Sequence, residues 1–307
     1  MKAVVYEKYG PPEVLELTEV EKPQPKDNEV LVKIHAATVT SGDTRLRSSD
    51  FPFPFWLPAR LIFGLFKPKK KILGHEFSGI VEKTGKDITR FKVGDSVFGT
   101  ATMLKGGTYA EYICIPEAWK SGVINKKPNN LNHQEAAALP IGAMTAMYLL
   151  ENARNRDDQS VLVYGASGSV GSYAIQLAKQ KNAFVTGVCS KSNMEMIKSL
   201  GADKVIDYKN EDYSLQNTKY DIVFDAVGYT KKSIAKRVLK PKGKFITVKS
   251  MTKETDEHFS RIKSFAESGD IVPFIDKVFN LSDIVEAHAY VDSGRKRGNV
   301  VIQVINS

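Results

Sequence analysis

Apolar and polar residues alternate in short stretches along the first third of the chain. Residues 3–6, 30–36, 77–82, 95–100 and 110–115 each read as a strand, and Gly, Pro and Asp mark the turns between them. Short strands at such spacing predict a barrel-like β domain. The pattern changes after about Pro128. Asn132 stands where it can cap a helix starting near Gln134 and Glu135, and a second helix is predicted over 145–152. Strand and helix patterns then alternate: strand 161–164, helix 169–181, strand 184–189, helix 193–200 ended by Gly201, and strands 204–206, 222–225 and 244–248. Such alternation predicts a parallel sheet with crossover helices. Near the end, a helix over 259–268 is closed by Gly269. Ser282 is read as the cap of a helix over 283–291, and 299–304 is a final β-branched strand. A strand after the α/β block suggests that the chain returns to its first domain. The expected division is a β domain at 1–125 completed by 273–307, and an α/β domain at 126–272.

Composition narrows the class without changing this picture. A chain of 307 residues, 42% hydrophobic and 26% charged, is a globular protein of one large domain or two ordinary ones. The longest apolar patch, 51–66, is interrupted by Pro52, Pro54, Pro58 and Arg60, so no membrane-spanning segment is expected. The first residues lack the pattern of a secretory leader, and a cytoplasmic protein is expected. Two distant cysteines, Cys114 and Cys189, exclude a disulfide scaffold and a four-cysteine zinc site. The charge of +9 is densest at Lys67, Lys69, Lys70 and Lys71 and at Arg295, Lys296 and Arg297. These clusters read as solvated surface; the sharper alternative is attraction for a polyanion, a phosphorylated cofactor included. No basic motif interleaved with aromatics occurs, so nucleic acid is not expected as a partner, and without a spanning segment no membrane is expected either.

The most specific segment is Val161-Leu162-Val163-Tyr164-Gly165-Ala166-Ser167-Gly168-Ser169-Val170-Gly171. A buried strand enters a glycine turn and leaves as a helix, the arrangement that receives a dinucleotide pyrophosphate on helix N–H groups. Ala166 occupies the place of the first glycine in the strict G-x-G-x-x-G pattern. Dinucleotide sites for NAD carry Asp or Glu about 20 residues further on, where it binds the ribose 2′-hydroxyl. No Asp or Glu occurs from Gln159 to Met194. Ser190, Lys191 and Asn193 end the second strand instead and suit a 2′-phosphate, so NADPH is predicted over NADH.

Several separated motifs resemble the medium-chain dehydrogenase/reductase superfamily, in its zinc-free quinone oxidoreductase (zeta-crystallin-like) branch. They are Gly74-His75-Glu76-Phe77-Ser78-Gly79, Val93-Gly94-Asp95, the glycine turn, Leu200-Gly201-Ala202-Asp203 and the ending Gly298-Asn299-Val300. The resemblance covers nearly the whole chain. It implies a GroES-like catalytic domain plus a doubly wound Rossmann domain, an α/β protein overall, and a homodimer. It also implies further cofactor contacts: Thr145 at a phosphate or ribose, Tyr208 near the adenosine, Val227, Gly228 and Val248 along the cofactor, and Gly298 and Asn299 near the nicotinamide. In zinc-dependent members the metal ligands would fall near Thr40, at His75 and near Ile141; only His75 is a ligand type here, so no metal is expected. Asp43, Arg45 and His75 are substrate-side candidates. The aromatic stretch 51–57 reads equally as a pocket wall and as a packing or oligomer contact. The short polar segment 249–258 leaves open whether a sheet strand is missing.

The implied activity is metal-independent hydride transfer from NADPH to a quinone or an α,β-unsaturated carbonyl. Such acceptors are electrophilic already and need no Lewis acid. Two other readings stand beside it: an alcohol or aldehyde dehydrogenase with a rudimentary metal at His75 and Glu76, and a low-turnover NADPH-binding protein with an interaction or nucleic-acid role.

Overall fold

The computed structural model describes residues 1–51, 53 and 55–305. The chain divides into two units: Met1–Pro140 together with Ile275–Ser307, and Ile141–Phe274.

In the first unit β1 (Lys2–Val5) pairs antiparallel with β2 (Glu16–Glu19). Next come β3 (Glu29–Thr38), α1 (Ser41–Ser48), α2 (Trp56–Phe63), β4 (Glu76–Thr84), β5 (Ser96–Thr100), β6 (Tyr112–Pro116), β7 (Ile124–Lys126) and α3 (His133–Ala137). β3 is the spine: it pairs antiparallel with β4 and β6, and later with the C-terminal strand. Its alternation explains why. Val30, Val32 and Ile34 enter one core with Phe77, Val97 and Ile115, while Ala37 and Val39 enter another with Val4, Tyr109 and Ile302. Asn132 caps α3 in a reciprocal capping box with Glu135, as its position in the sequence predicts.

The second unit holds α4 (Pro140–Asn152), β8 (Ser160–Tyr164), α5 (Ser169–Lys179), β9 (Phe184–Cys189), α6 (Met194–Ser199), β10 (Lys204–Asp207), β11 (Tyr220–Asp225), α7 (Lys232–Ala235), β12 (Leu239–Thr247) and α8 (Asp256–Glu267). Its five strands run parallel in the order β10-β9-β8-β11-β12. That is one half and most of the other half of a doubly wound sheet, whose full order has six strands. The segment 249–258 runs into the start of α8 without a further strand, so the sheet ends at five and β12 is its edge. The chain then re-enters the first unit as β13 (Ile275–Asn280), α9 (Ile284–Asp292) and β14 (Asn299–Gln303); β14 pairs with β3, confirming the return of the C-terminal strand.

Four expectations are corrected. The unit boundary lies at 140/141, not 125/126, because α3 packs on β3, β4, β5 and β14 and Ala137 and Ala138 share a small core with Ala36 and Val301. α4 begins at Pro140 rather than Thr145: proline at a helix start loses no needed N–H. Ser282 lies inside a 3-10 turn, Leu281–Asp283, and Asp283 is the N-cap of α9. β12 starts at Leu239, because Tyr220 pairs with Leu239 before an irregularity in register. The sequence reading also missed α1, α2, α7, β2, β7 and β13.

Candidate functional site

The glycine turn in the second unit joins β8 to α5 as the sequence predicts. Gly165, with φ +76°, makes the tight bend; a side chain there would strike Val227. Ala166 is wholly buried under the turn, so it supports the bend and offers no side chain to a ligand. A Cβ on Gly171 would collide with the carbonyl oxygen of Gly165, so this glycine is needed for α5 to approach the strand. Gly168 is different. Its φ is −79°, and a Cβ there would meet only the Gly165 oxygen at 3.5 Å. The fold itself does not require a glycine here. It is also the N-cap of α5 and provides no side-chain cap, so the N–H groups at Ser169, Val170 and Gly171 are left for an anion. A pyrophosphate fits this cradle.

The second strand, β9, ends beside the turn. Asn193 donates its amide to Ser167 Oγ (3.0 Å), and Ser190 and Ser192 hydroxyls lie 3.2 Å apart. Ser190 and Asn193 are half-buried and Lys191 is exposed. The carboxylate nearest in register is Asp207, paired with Cys189, and it is turned into its own loop. There it accepts from Lys209 N–H (3.1 Å) and the Asn210 amide (2.8 Å). The Tyr208 N–H donates to the Cys189 carbonyl (3.1 Å), and its half-exposed ring lines a cavity of about 410 Å³ with Tyr164, Asp212 and Tyr213. Val227 and Gly228 are organised by a residue the sequence reading missed. Buried Asp225 accepts from the N–H groups of Val227 (3.2 Å), Gly228 (2.9 Å) and Thr230 (3.1 Å). Val248 donates its N–H to the Asp225 carbonyl (3.0 Å), and Thr145 is half-buried on α4. These positions all lie in the second unit, whereas Gly298 and Asn299 belong to the first.

The polar centre of the first unit is built on α1. Thr40 and Asp43 cap this helix reciprocally, and the Asp43 side chain is fully buried. Its Oδ2 accepts from the Thr40 N–H (2.9 Å) and hydroxyl (2.6 Å); its Oδ1 accepts from the Gly74 N–H (3.1 Å) and His75 Nδ1 (2.6 Å). Burial pushes its carboxyl upward, but the His75 ring and the hydrogen bonds from His75 and Thr40 outweigh that and hold it well below the usual range. Asp43 therefore fixes which His75 nitrogen carries the proton and leaves Nε2 as the group that can meet another molecule. Arg45 is not part of this centre: it lies on the exposed side of α1, two residues from the buried Asp43. Arg47, one turn on from Asp43, is the one that turns inward, where it contacts His288 Nδ1 (3.0 Å) and Asp292 (2.6 Å).

Two lysines read as solvated surface are not. The amine of Lys70 is buried with no hydrogen-bond partner among the described residues. Burial pushes it down to about 8, against the opposing field of Asp43. Lys296 is half-buried and donates to the Gly298 carbonyl (2.9 Å).

This donor set does not fit a catalytic zinc. Thr40 is occupied in the helix cap, Glu76 is buried and accepts from Thr38, and His75 Nε2 alone could serve as a ligand, its Nδ1 held by Asp43. Among the described residues no three His, Cys, Asp or Glu side chains gather as ligands.

The fold is a GroES-like unit with a Rossmann-type unit, and comparison with known proteins agrees. Residues 26–128 match the family described as alcohol dehydrogenase GroES-like domain, and residues 169–272 match that described as zinc-binding dehydrogenase. The 2-methylene-furan-3-one reductase of Solanum lycopersicum is 33% identical, over 99% of this chain and 79% of its own. The chloroplastic NADPH-dependent alkenal/one oxidoreductase of Arabidopsis thaliana is 30% identical, over 99% and 80%. The solved quinone oxidoreductase of Coxiella burnetii superposes with a TM-score of 0.84 at 28% identity, each chain covered to 99%. The chain belongs to the medium-chain dehydrogenase/reductase superfamily, in its quinone oxidoreductase branch.

Proposed function

We propose that this chain is an NADPH-dependent reductase that delivers hydride to a quinone or to the C=C bond of an α,β-unsaturated carbonyl, without a metal. One observation carries the reading most: where a zinc would need three ligands, no three His, Cys, Asp or Glu side chains gather among the described residues. The named activities of the relatives agree with it. The preference for NADPH is supported by the carboxylate-free end of β9, where Ser190, Lys191 and Asn193 would bind the 2′-phosphate.

The nicotinamide supplies the hydride. The chain's own residues do the rest. Ser169, Val170 and Gly171 N–H groups hold the pyrophosphate, and the Asn193–Ser167 bond joins that turn to the 2′-phosphate contacts. When protonated, His75 gives its Nε2 proton to the acceptor oxygen as charge builds there, and Asp43 keeps the ring aligned. Water then returns the proton. Asp43→Asn is expected to lower kcat by about 10–100-fold with little change in the Kd for NADPH. An equal loss of NADPH affinity would show Asp43 to be a fold support only.

The deciding assay follows NADPH oxidation with 9,10-phenanthrenequinone and with a 2-alkenal, each with and without chelator. Turnover insensitive to chelator is expected. Chelator-sensitive alcohol oxidation would favour a zinc-type dehydrogenase, and binding without turnover a non-enzymatic role. A cytoplasmic homodimer completes the proposal. The well-separated free thiols Cys114 and Cys189 suit a reducing compartment, and the open edge at β12 is one that a second copy can cover. Light scattering after size-exclusion chromatography tests the dimer.

A further inference from the structure

The segment 51–71 carries an exposed apolar ridge that the proposed chemistry does not use. α2 is anchored from beneath. Ala59 is buried, the Tyr9 hydroxyl donates to the carbonyls of Phe63 (3.0 Å) and Gly64 (2.8 Å), and the Arg60 guanidinium sits 4.1 Å from the Tyr9 ring centre. Among the described residues nothing covers its outer side. Leu57 is 52% exposed, Leu61 59% and Ile62 55%, with Phe53, Phe55 and Phe66 at 94%, 67% and 88% around them. Apolar side chains scattered singly on a surface need no explanation; so many on one short element do. Pro52 and Pro54 lie outside the described residues.

The rim identifies what covers it. From residue 51 to 75 there is no Asp or Glu, while Arg60, Lys67, Lys69 and Lys71 fall in that span beside Lys70, whose amine is buried and adds nothing to the rim. Lys69 donates to the Leu61 carbonyl (2.8 Å), which fixes a positive charge at the C-terminal end of α2. Lys71 is paired with Glu7, while Lys67 stands exposed. An apolar ridge bordered by ammonium groups matches the boundary between hydrocarbon and anionic headgroups. A second copy seated face to face would set one basic rim against another in a chain of charge +9. An eight-residue helix is about 12 Å long, far short of the roughly 30 Å hydrocarbon core. It can lie on a bilayer but not cross it, in keeping with the lack of any helix long and apolar enough to span among the described residues. We propose that α2 and its lysine-flanked loop form a docking surface for anionic lipid bilayers. The sequence argument against a membrane concerned spanning, and this is a surface contact.

The test is flotation of the full chain with vesicles of phosphatidylglycerol and phosphatidylcholine, against pure phosphatidylcholine. Partitioning onto the anionic vesicles is expected to be about tenfold higher and to fall as salt is raised. The double variant Leu61→Glu/Ile62→Glu is expected to lose about tenfold or more of that partitioning. Its melting temperature and its turnover of a water-soluble quinone should match the parent, because both side chains face solvent. Lys67→Glu should weaken binding without touching the ridge. No binding to anionic vesicles, or equal binding by the double variant, overturns the proposal. So does a dimer that the double variant converts to monomer, which would make the ridge a self-association face.

Discussion

Two polar clusters, one in each unit, use hydrogen-bonding groups in opposite ways. In the turn between β8 and α5 the donors are backbone N–H groups left at a helix start, with a glycine at the cap whose missing side chain the fold does not require. In the cluster on α1 the groups are side chains buried against one another. Arg47 is 2% exposed and spends its guanidinium on His288, Asp292 and the Gly10 carbonyl (3.1 Å), while Asp43 accepts four hydrogen bonds. The first arrangement holds capacity back for a ligand. The second consumes nearly all its capacity in the protein and leaves His75 Nε2 as its outlet. Damage to the first should therefore appear in binding, and damage to the second in stability.

The largest effect is expected at Arg47. Replacing it with Met keeps much of the apolar stem but leaves Asp292 without its partner and His288 Nδ1 without a donor. A loss of about 3–5 kcal/mol is expected, read by urea denaturation. Loss of less than about 1 kcal/mol would show that the cluster does not hold α1 to α9.

The glycines sharpen the contrast within a single turn. Gly171→Ala must displace the Gly165 carbonyl, and about 1–3 kcal/mol of stability should go with it. Gly168→Ala meets ordinary contact at a permitted φ, so stability should hold or rise by up to about 1 kcal/mol as the unfolded chain loses freedom. NADPH affinity should nevertheless fall by about tenfold or more, measured by calorimetry. If Gly168→Ala bound NADPH as tightly as the parent, the cradle would not be a phosphate site.

The same contrast decides what could be read before the fold was known. The dinucleotide turn is written in consecutive residues, 161–171, because a strand, a bend and a helix start are all local events. The Arg47–His288 contact joins positions 241 apart, and no local pattern links them. α1 had a signal that went unused: Thr40-Ser41-Gly42-Asp43 is a capping sequence. α2 was hidden by Pro52, Pro54 and Pro58, yet Pro58 falls in the first helical turn, where its missing N–H costs nothing. Lys70 and Lys296 read as solvated because charge runs usually are; only the packing around them shows otherwise. Arg45 and Arg47 differ by two positions, and only the phase of α1 separates the exposed one from the buried one.

His288 gives the second cluster a pH signature. Arg47 always donates, so it holds His288 Nδ1 as an acceptor and the ring neutral. Burial is the main cause that pushes the imidazole down to about 4; Arg47 adds to it, and Asp43 and Asp292 oppose it. The Tyr109 ring, 5.6 Å away, adds no charge. Because the unfolded chain takes up this proton first, near pH 6.5, stability is intact above that pH and is lost as pH falls toward 4, with no further loss below. At pH 5 the loss from this residue is about 2 kcal/mol. His288→Gln keeps an acceptor for Arg47 and removes the titration. The difference in stability between pH 7 and pH 5 should shrink by that amount; an unchanged difference would place the pH dependence elsewhere. His133, also lowered to about 4 by burial, acts in the same direction and remains in the variant.

The smallest effect expected lies where the first cluster meets solvent. Lys191 is exposed, so its attraction for a 2′-phosphate is screened, and Ser190 offers one hydroxyl. Ser190→Asp with Lys191→Ala removes that attraction and adds a charge that repels the phosphate but accepts from a ribose 2′-hydroxyl. NADPH affinity should fall about tenfold, equivalent to 1.4 kcal/mol, while NADH affinity holds or improves. Stability should move little, because Lys191 is exposed and Ser190 loses one hydroxyl contact, to Ser192 (3.2 Å). Equal weakening of both cofactors would mean that the pair braces the loop rather than reads the phosphate, and the preference would then have to arise from groups other than these two.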